Sequence, residues 1–200
     1  LAASHARGAT PEGCESVEAR PAMSPETHRD RLLDILKRES FVPGRVKLAS
    51  GRMSDFYIDA RKSAFLPEAA FLIGEALFPR ARVLDVRAVG GMAVGAIPLV
   101  DAVVHASHRA GAPIPGFFVR KETKEHGLSR KIEGRFESGW RVAILEDVVT
   151  SGDSALGAAD AVEAGRDAVG LVVELAAGVE GAEHDLEGGL PLLLVHFDGD

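Results

Sequence analysis

The sequence predicts an α/β fold with an open, mainly parallel sheet and helices on both faces. Short apolar runs alternate with helical stretches from about residue 82 onward, as in parallel strands joined by crossover helices. One of these units, at residues 141–161, shows a strand, a tight turn and a helix in direct succession. Strands are expected at residues 82–86, 116–119, 142–145, 168–173 and 192–197, and helices at residues 92–109 and 154–164.

The chain is expected to begin with a leader and then form one domain. Residues 1–23 are rich in Ala, Gly, Pro and charge without any period, so we predict a disordered leader there. Ser24 as an N-cap and Pro25 at the first helical position indicate a helix that ends around residues 38–40. We see no repeat and no second domain, so residues 24–200 are predicted to be a single domain.

A small N-terminal hairpin is predicted next. Residues 46–48 and 56–58 are separated by the polar turn Ser50-Gly51-Arg52, which is typical of two paired strands. We expect this hairpin to form a hood outside the main sheet. Pro67 then indicates the start of a second helix over residues 68–77.

Composition excludes some classes of protein. The net charge is −7 and the isoelectric point is about 5.5, so no broad basic face is available for nucleic acid. Cys14 is the only cysteine, which excludes an intramolecular disulfide and fits a reducing compartment. The first residues given lack the apolar run of a signal peptide, and no stretch approaches the roughly 18 apolar residues that span a bilayer. We therefore expect a cytoplasmic protein without nucleic-acid or membrane partners.

The most informative motif follows the strand predicted at residues 142–145. Two adjacent carboxylates, Glu146 and Asp147, precede the turn Thr150-Ser151-Gly152-Asp153-Ser154, and an alanine-rich helix comes next. A tight turn between a strand and a helix points several backbone N–H groups at one place and favours a phosphate. The carboxylates would repel that phosphate, so they suit ribose hydroxyls or a divalent cation carried by the ligand. A ligand with both a phosphate and a diol satisfies both halves.

Two other loops follow predicted strands and should reach the same edge of the sheet. One is the glycine-rich stretch 89–95, with Gly90 and Gly91, and the other is the stretch 120–135, with six Lys or Arg residues. Each feature alone has an ordinary explanation: tight packing for the glycines, a solvated loop for the cations, a turn for the acidic pair. Their convergence on one edge favours a site for a small polyanion.

Four segments resemble the orotate phosphoribosyltransferase family. The acidic pair and the turn after it are similar to the phosphoribosyl pyrophosphate motif of type I phosphoribosyltransferases. Residues 48–61 resemble the family's substrate-binding hairpin, residues 89–95 its pyrophosphate loop and residues 118–134 its mobile catalytic loop. An ordered set of this kind is more specific than one motif. In the mobile loop the matching residues are Arg120, Lys121, Lys124, His126 and Gly127.

This resemblance implies the type I phosphoribosyltransferase fold and an enzyme of pyrimidine (UMP) biosynthesis. The implied reaction transfers ribose 5-phosphate from phosphoribosyl pyrophosphate to N1 of orotate, giving orotidine 5′-monophosphate and pyrophosphate. Mg²⁺ is expected to arrive with phosphoribosyl pyrophosphate rather than at a metal site of the protein alone. In the family the mobile loop reaches into the neighbouring subunit, so a homodimer with shared active sites is implied.

The resemblance also implies roles for individual residues. Glu146 and Asp147 would hold the ribose hydroxyls, while the turn at residues 150–154 would anchor the 5′-phosphate. The implied catalytic residues are Lys124, His126 and Asp147. The implied contacts with phosphoribosyl pyrophosphate are Arg120, Lys121, Lys124, His126, Glu146, Asp147, Val148, Val149, Thr150, Ser151, Gly152, Asp153 and Ser154, with Gly90 and Gly91 in the pyrophosphate loop. The implied contacts with orotate are Phe56, Tyr57, Arg61 and Thr150.

Two positions depart from the family's pattern and leave the base open. Relatives often have Asp-Arg after the strand predicted at residues 168–173, and that arginine pairs with the orotate carboxylate, whereas this chain has Glu174 and Leu175. Ala49 stands where relatives often have lysine. Loss of a cation beside a desolvated carboxylate costs on the order of several kcal/mol. The candidate replacements are Arg61, Lys62 and backbone N–H groups near Phe56. The alternatives are a transferase for another base and a non-catalytic phosphoribosyl pyrophosphate sensor.

Overall fold

The structure is a computed structural model of the chain, and it describes residues 24–47, 51, 53–121, 131–148, 152–164, 170–174 and 194–196. The leader predicted over residues 1–23 lies outside the described residues. The single domain predicted over residues 24–200 stays a prediction, because parts of that span also lie outside them.

Helices and strands alternate through the described residues. Among these helices, none combines the length and the apolar composition that crossing a membrane requires. The helices are α1 (Pro25–Ile35), α2 (Ala60–Ala64), α3 (Pro67–Val83), α4 (Ile97–Arg109) and α5 (Asp153–Ala164). The strands are β1 (Phe41–Lys47), β2 (Met53–Ile58), β3 (Ala88–Gly90), β4 (Phe117–Val119), β5 (Ile132–Gly134), β6 (Val142–Glu146), β7 (Gly170–Glu174) and β8 (Leu194–His196).

The main sheet has the strand order β3-β6-β7-β8. β3 pairs with β6 and β6 pairs with β7 in parallel, while β8 runs antiparallel to β7 at one edge. On the other side, single parallel bridges join Val89 to Gly116 and Met92 to Val119, so β4 lies beside β3. β5 pairs antiparallel with β4. The predicted open, mainly parallel sheet is confirmed.

β6 is buried along its whole length and sends its side chains alternately into two apolar cores. Ala143 and Leu145 join a core that contains residues of α1, α3 and α4. Val142 and Ile144 join a second core that contains residues of α5. Helices therefore cover both faces of the sheet, as predicted, and the central strand is held rigidly up to its last residue, Glu146.

The first helix agrees with the sequence analysis. Ser24 is the N-cap of α1, and its Oγ accepts a hydrogen bond from the Thr27 N–H at 3.2 Å. Pro25 occupies the first helical position. A π-helical turn, Leu36–Ser40, continues α1 and ends where the sequence indicated.

The N-terminal hairpin is also confirmed. β1 and β2 pair antiparallel as a separate two-stranded sheet, here called the hood. Both strands are longer than predicted, because a register shift between Pro43 and Val46 lets pairing continue past Pro43 and Gly44. Gly44 has a φ of 124°, a conformation that favours glycine.

The strand predicted at residues 82–86 is wrong. α3 continues to Val83, and the chain then turns at Asp85, whose φ of 51° ends any regular element there. The apolar residues in this stretch suggested a buried strand. Val83, however, is 84% exposed at the end of α3, so it does not behave as a strand residue of the core. The strand forms two residues past the predicted stretch, as β3. Other bounds also differ: α4 begins at Ile97 rather than at residue 92, and α2 was not predicted.

Candidate active site

The carboxyl ends of β3, β4 and β6 lie at one edge of the sheet, because β3 is parallel to both of its neighbours. The glycine-rich stretch follows β3, the basic stretch follows β4, and the acidic pair ends β6. The strand ends from which these three segments leave therefore lie at one edge, as predicted, while residues 122–130 and 149–151 lie outside the described residues.

Gly90 and Gly91 are positioned by packing. A Cβ at Gly90 would overlap the Phe117 ring, and a Cβ at Gly91 would overlap the Leu145 carbonyl oxygen. Both glycines are buried, so the backbone here lies directly against β4 and β6. Close packing therefore explains this pair, and their contact with pyrophosphate stays a prediction.

Gly95, later in the same stretch, contacts the acidic pair. A Cβ at Gly95 would overlap the carboxylate of Asp147. The sequence analysis placed this glycine in the predicted loop but not among the site residues. The available signal was a third glycine in a loop at a strand end, where backbone often approaches another group closely.

Glu146 and Asp147 are adjacent but have different environments. Glu146 is 6% exposed, whereas Asp147 is half-buried. Glu146 Oε2 is buried and has no hydrogen-bond partner among the described residues. Burial raises the pKa of Glu146 to about 8, with further increases from the hydrogen bond and negative charge of Asp147 and an opposing effect from Lys121. The protonated, neutral form of Glu146 is therefore favoured by its surroundings.

Arg120 and Lys121, at the end of β4, have different partners. Arg120 Nε donates to Glu133 Oε1 at 3.0 Å, and its guanidinium lies 5.6 Å from the centre of the Phe118 ring. Lys121 is exposed, and its charge acts on Glu146. The structure thus holds Arg120 against β5 and places Lys121 beside the acidic pair. The predicted catalytic residues Lys124 and His126 lie outside the described residues.

The predicted phosphate turn is described in part. Gly152 has a φ of 82° with open space around its Cα, and Asp153 and Ser154 form the first turn of α5. The first N–H groups of a helix have no acceptor within the helix itself, so the start of a helix favours an anion. Val148 is half-buried after the acidic pair. Val149, Thr150 and Ser151 lie outside the described residues.

The hood and α2 carry the residues predicted for the base. Phe56 stacks on Phe41 with ring centroids 5.7 Å apart, and Tyr57 is half-buried. Arg61 is exposed and pairs with Asp59, from Nε to Oδ1, at 2.9 Å. Its hydrogen bond with Asp59 raises the pKa of Arg61, and the charges of Tyr57 and Asp147 act in the same direction. Arg61 therefore lies within electrostatic reach of the acidic pair. Thr150, also predicted here, is outside the described residues.

The edge offers few ligands for a metal ion. Within the part of the chain that the structure describes, no group of three or more His, Cys, Asp or Glu side chains could hold one. Two carboxylates suit a Mg²⁺ ion that keeps most of its ligands from water and substrate phosphates. The donor set therefore fits a metal that is carried by a diphosphate.

Comparison with known proteins shows close relatives, although no protein-family model matches the chain. The chain is 41% identical over 174 residues to the orotate phosphoribosyltransferase of Rhodopseudomonas palustris strain BisB18, covering 84% of this chain and 93% of that relative. It is 43% identical over 165 residues to that of Bradyrhizobium diazoefficiens, covering 80% and 88%.

Solved structures show the same likeness. Orotate phosphoribosyltransferase from Mycobacterium tuberculosis H37Rv, in complex with Fe(III) dicitrate, matches with a TM-score of 0.64 and 39% identity over 82% of this chain and 93% of that one. Its complex with 5-phospho-α-D-ribosyl 1-diphosphate matches with a TM-score of 0.58 and 31% identity, covering 74% and 75%. The described elements therefore form the type I phosphoribosyltransferase fold.

Proposed function

The chain belongs to the orotate phosphoribosyltransferase family, and we propose that it transfers ribose 5-phosphate from phosphoribosyl pyrophosphate to N1 of orotate. The products are orotidine 5′-monophosphate and pyrophosphate, in pyrimidine biosynthesis, with the cytoplasm as the proposed location. The main structural support is the acidic pair at the end of β6, followed a few residues later in the chain by the start of α5 at Asp153. A ligand with a diol and a phosphate has one group for the carboxylates and one for the helix N-terminus.

Asp147 is the proposed electrostatic catalyst. Breaking the C1–O bond to pyrophosphate leaves positive charge on the ribose ring, and a fixed negative charge beside the hydroxyls stabilises it. Glu146 is buried and its neutral form is favoured, whereas Asp147 is the more exposed of the two and can face a ligand. Gly95 packs against that carboxylate and limits its movement. Asp147 would thus be preorganised to face the sugar. Glu146 would donate one hydrogen bond to a ribose hydroxyl or accept one from it.

The proposed phosphate contacts lie on either side of this pair. The N–H groups of Gly152, Asp153 and Ser154, together with the neighbouring residues 148–151, would hold the 5′-phosphate at the start of α5. Lys121, with Arg120, Lys124 and His126, would neutralise the departing pyrophosphate, and Gly90 and Gly91 would line its entry. The loop that carries Lys124 and His126 is proposed to exclude water when it closes.

Mg²⁺ is the proposed cofactor. It would arrive with the diphosphate, with Asp147 as the nearest carboxylate of the chain, and it would supply positive charge for the leaving group. The protein's own residues orient the sugar and the phosphates around it. No covalent nucleophile is required.

The activity can be tested by following the ultraviolet absorbance of orotate. We expect orotate to disappear only when the chain, phosphoribosyl pyrophosphate and Mg²⁺ are all present, with one pyrophosphate released for each orotate. Pyrophosphate release with another base but not with orotate would instead indicate a different transferase, which the Glu174-Leu175 sequence favours. Calorimetric binding of phosphoribosyl pyrophosphate without turnover of any base would indicate a sensor.

A homodimer with shared active sites is also proposed. The exposed apolar residues Phe65, Phe71 and Ile97 line one surface pocket of about 420 Å³ between α2, α3 and α4. Ile97 begins α4 directly after the stretch that contacts Asp147, so this surface adjoins the candidate site. A second copy that covered it would therefore lie beside the candidate site.

Sedimentation should therefore give twice the 21.1 kDa mass of the chain. Phe65→Glu should shift the protein toward the monomer, because the new charge would be buried in the contact. Val83→Glu is the control, since Val83 is 84% exposed and lies outside this pocket. A monomer at all concentrations for the unaltered chain contradicts the proposal.

A further inference from the structure

Orotate carries a carboxylate on the carbon next to N1, the atom that attacks the ribose. That carboxylate must therefore enter within a few ångströms of C1, beside the hydroxyls that Asp147 is proposed to hold. A desolvated carboxylate without a partner is strongly unfavourable. At the end of β7, Glu174 is in register with Glu146, so the nearest strand end adds an acidic residue rather than a cation. A cation must come from elsewhere.

Arg61 is on the correct side of the site. α2 ends beside the start of α4, because Ala64 and Phe65 line the same pocket as Ile97 and Pro98. The stretch just before Ile97 contains Gly95, which packs against Asp147. The charge of Asp147 also acts on the guanidinium of Arg61. The hood side of the site therefore carries an arginine within electrostatic range of Asp147.

The Arg61 side chain is held at one end only. Nε donates to Asp59 Oδ1 at 2.9 Å, while the two terminal nitrogens have no hydrogen-bond partner among the described residues. Asp59 is itself fixed, because its N–H donates to the Ser40 carbonyl oxygen at 2.9 Å and only 20% of its side chain is exposed. The side chain of Arg61 is 58% exposed. A guanidinium anchored through Nε presents its terminal nitrogens as a fork that matches a carboxylate.

A purely structural explanation of this pair is weak. An ion pair as exposed as this one contributes little to stability. The two residues are also only two positions apart, so the pair links no distant parts of the chain. What the pair does accomplish is to restrict the orientation of the guanidinium.

We propose that Asp59 and Arg61 form the recognition element for the carboxylate of the base, with Arg61 as the binding residue and Asp59 as a positioning residue. This inference rests on the proposed function, since it takes the base to be orotate. It assigns to the hood side the charge that residue 175 does not supply.

The test compares two nucleotides that differ only by the carboxylate, orotidine 5′-monophosphate and uridine 5′-monophosphate. The unaltered chain should bind the first more tightly in calorimetry. Arg61→Gln should weaken binding of orotidine 5′-monophosphate by about 10- to 100-fold, as expected for a lost charged hydrogen bond. The same substitution should leave the affinity for uridine 5′-monophosphate nearly unchanged. Arg61→Lys should restore part of the preference, and Asp59→Asn should reduce it.

Steady-state kinetics gives an independent readout. Arg61→Gln should raise KM for orotate about 10- to 100-fold and alter KM for phosphoribosyl pyrophosphate less than about threefold. Arg45→Gln is the matched control, because Arg45 is an exposed arginine of the hood outside the proposed contacts. It should change neither KM. An unaltered preference between the two nucleotides in Arg61→Gln overturns the inference even if orotate is turned over. If Arg61→Gln loses the preference but the unaltered chain turns over no orotate, the proposed function is overturned instead of this inference.

Discussion

Replacing Gly95 with alanine should lower kcat/KM by at least about 100-fold, because the new methyl group would occupy the position of the Asp147 carboxylate. Either the carboxylate or the loop must then move. Displacing a group that stabilises charge in the transition state by about 1 Å is enough for a loss of this size. We expect kcat to fall more than binding of phosphoribosyl pyrophosphate, since Asp147 is proposed to act mainly on charge that develops as the C1–O bond breaks.

Gly157→Ala is the matched control for this variant. A Cβ at Gly157, in the middle of α5, would meet only Met92 Cε at 3.6 Å, an ordinary contact distance. Alanine inside a helix should add about 0.5–1 kcal/mol of stability there. Thermal unfolding should show both variants folded, and only Gly95→Ala should lose activity. If Gly95→Ala stays fully active, Asp147 does not need its present position.

The sequence predicted the parts of the fold that local pattern determines. The buried run of β6 was predicted within one residue, since an apolar strand before an acidic pair has few alternatives. The start of α1 was predicted at Ser24 because a cap and a proline act through neighbouring backbone groups. Residues 82–86 were assigned wrongly because apolar residues at the end of a helix and in a short strand look alike until their burial is known.

For the candidate site, too, the sequence identified local features but not burial or long-range contacts. The sequence identified the acidic pair, since two adjacent carboxylates before a small-residue turn are visible without any structure. It could not show that Glu146 is buried while Asp147 is only half-buried, because that depends on how α5 and the neighbouring strands cover the end of β6. Nor could it show the contact between Gly95 and Asp147, which are far apart in the chain. Differences in burial and long-range contacts require the folded structure.

The burial of Glu146 makes stability depend on pH. Its pKa is about 8 in the folded chain against an ordinary value of 4.5, so the folded state binds more protons than the unfolded state between these values. The contribution of this group is therefore fully present below about pH 4.5 and is lost as the pH rises toward 8. Within that window the loss is at most about 1.4 kcal/mol for each pH unit.

Glu146→Gln should remove this dependence, because the amide resembles the protonated acid and does not titrate. The free energy of unfolding, measured in urea from pH 5 to pH 9, should be similar for the variant and the unaltered chain at pH 5. The variant should then become the more stable of the two by a few kcal/mol near pH 8. Titrating groups that do not interact with Glu146 are common to both proteins, so they cancel in the difference. Glu163→Gln, on the exposed side of α5, should track the unaltered chain at every pH. A constant difference between Glu146→Gln and the unaltered chain would mean that folding does not raise the pKa of Glu146.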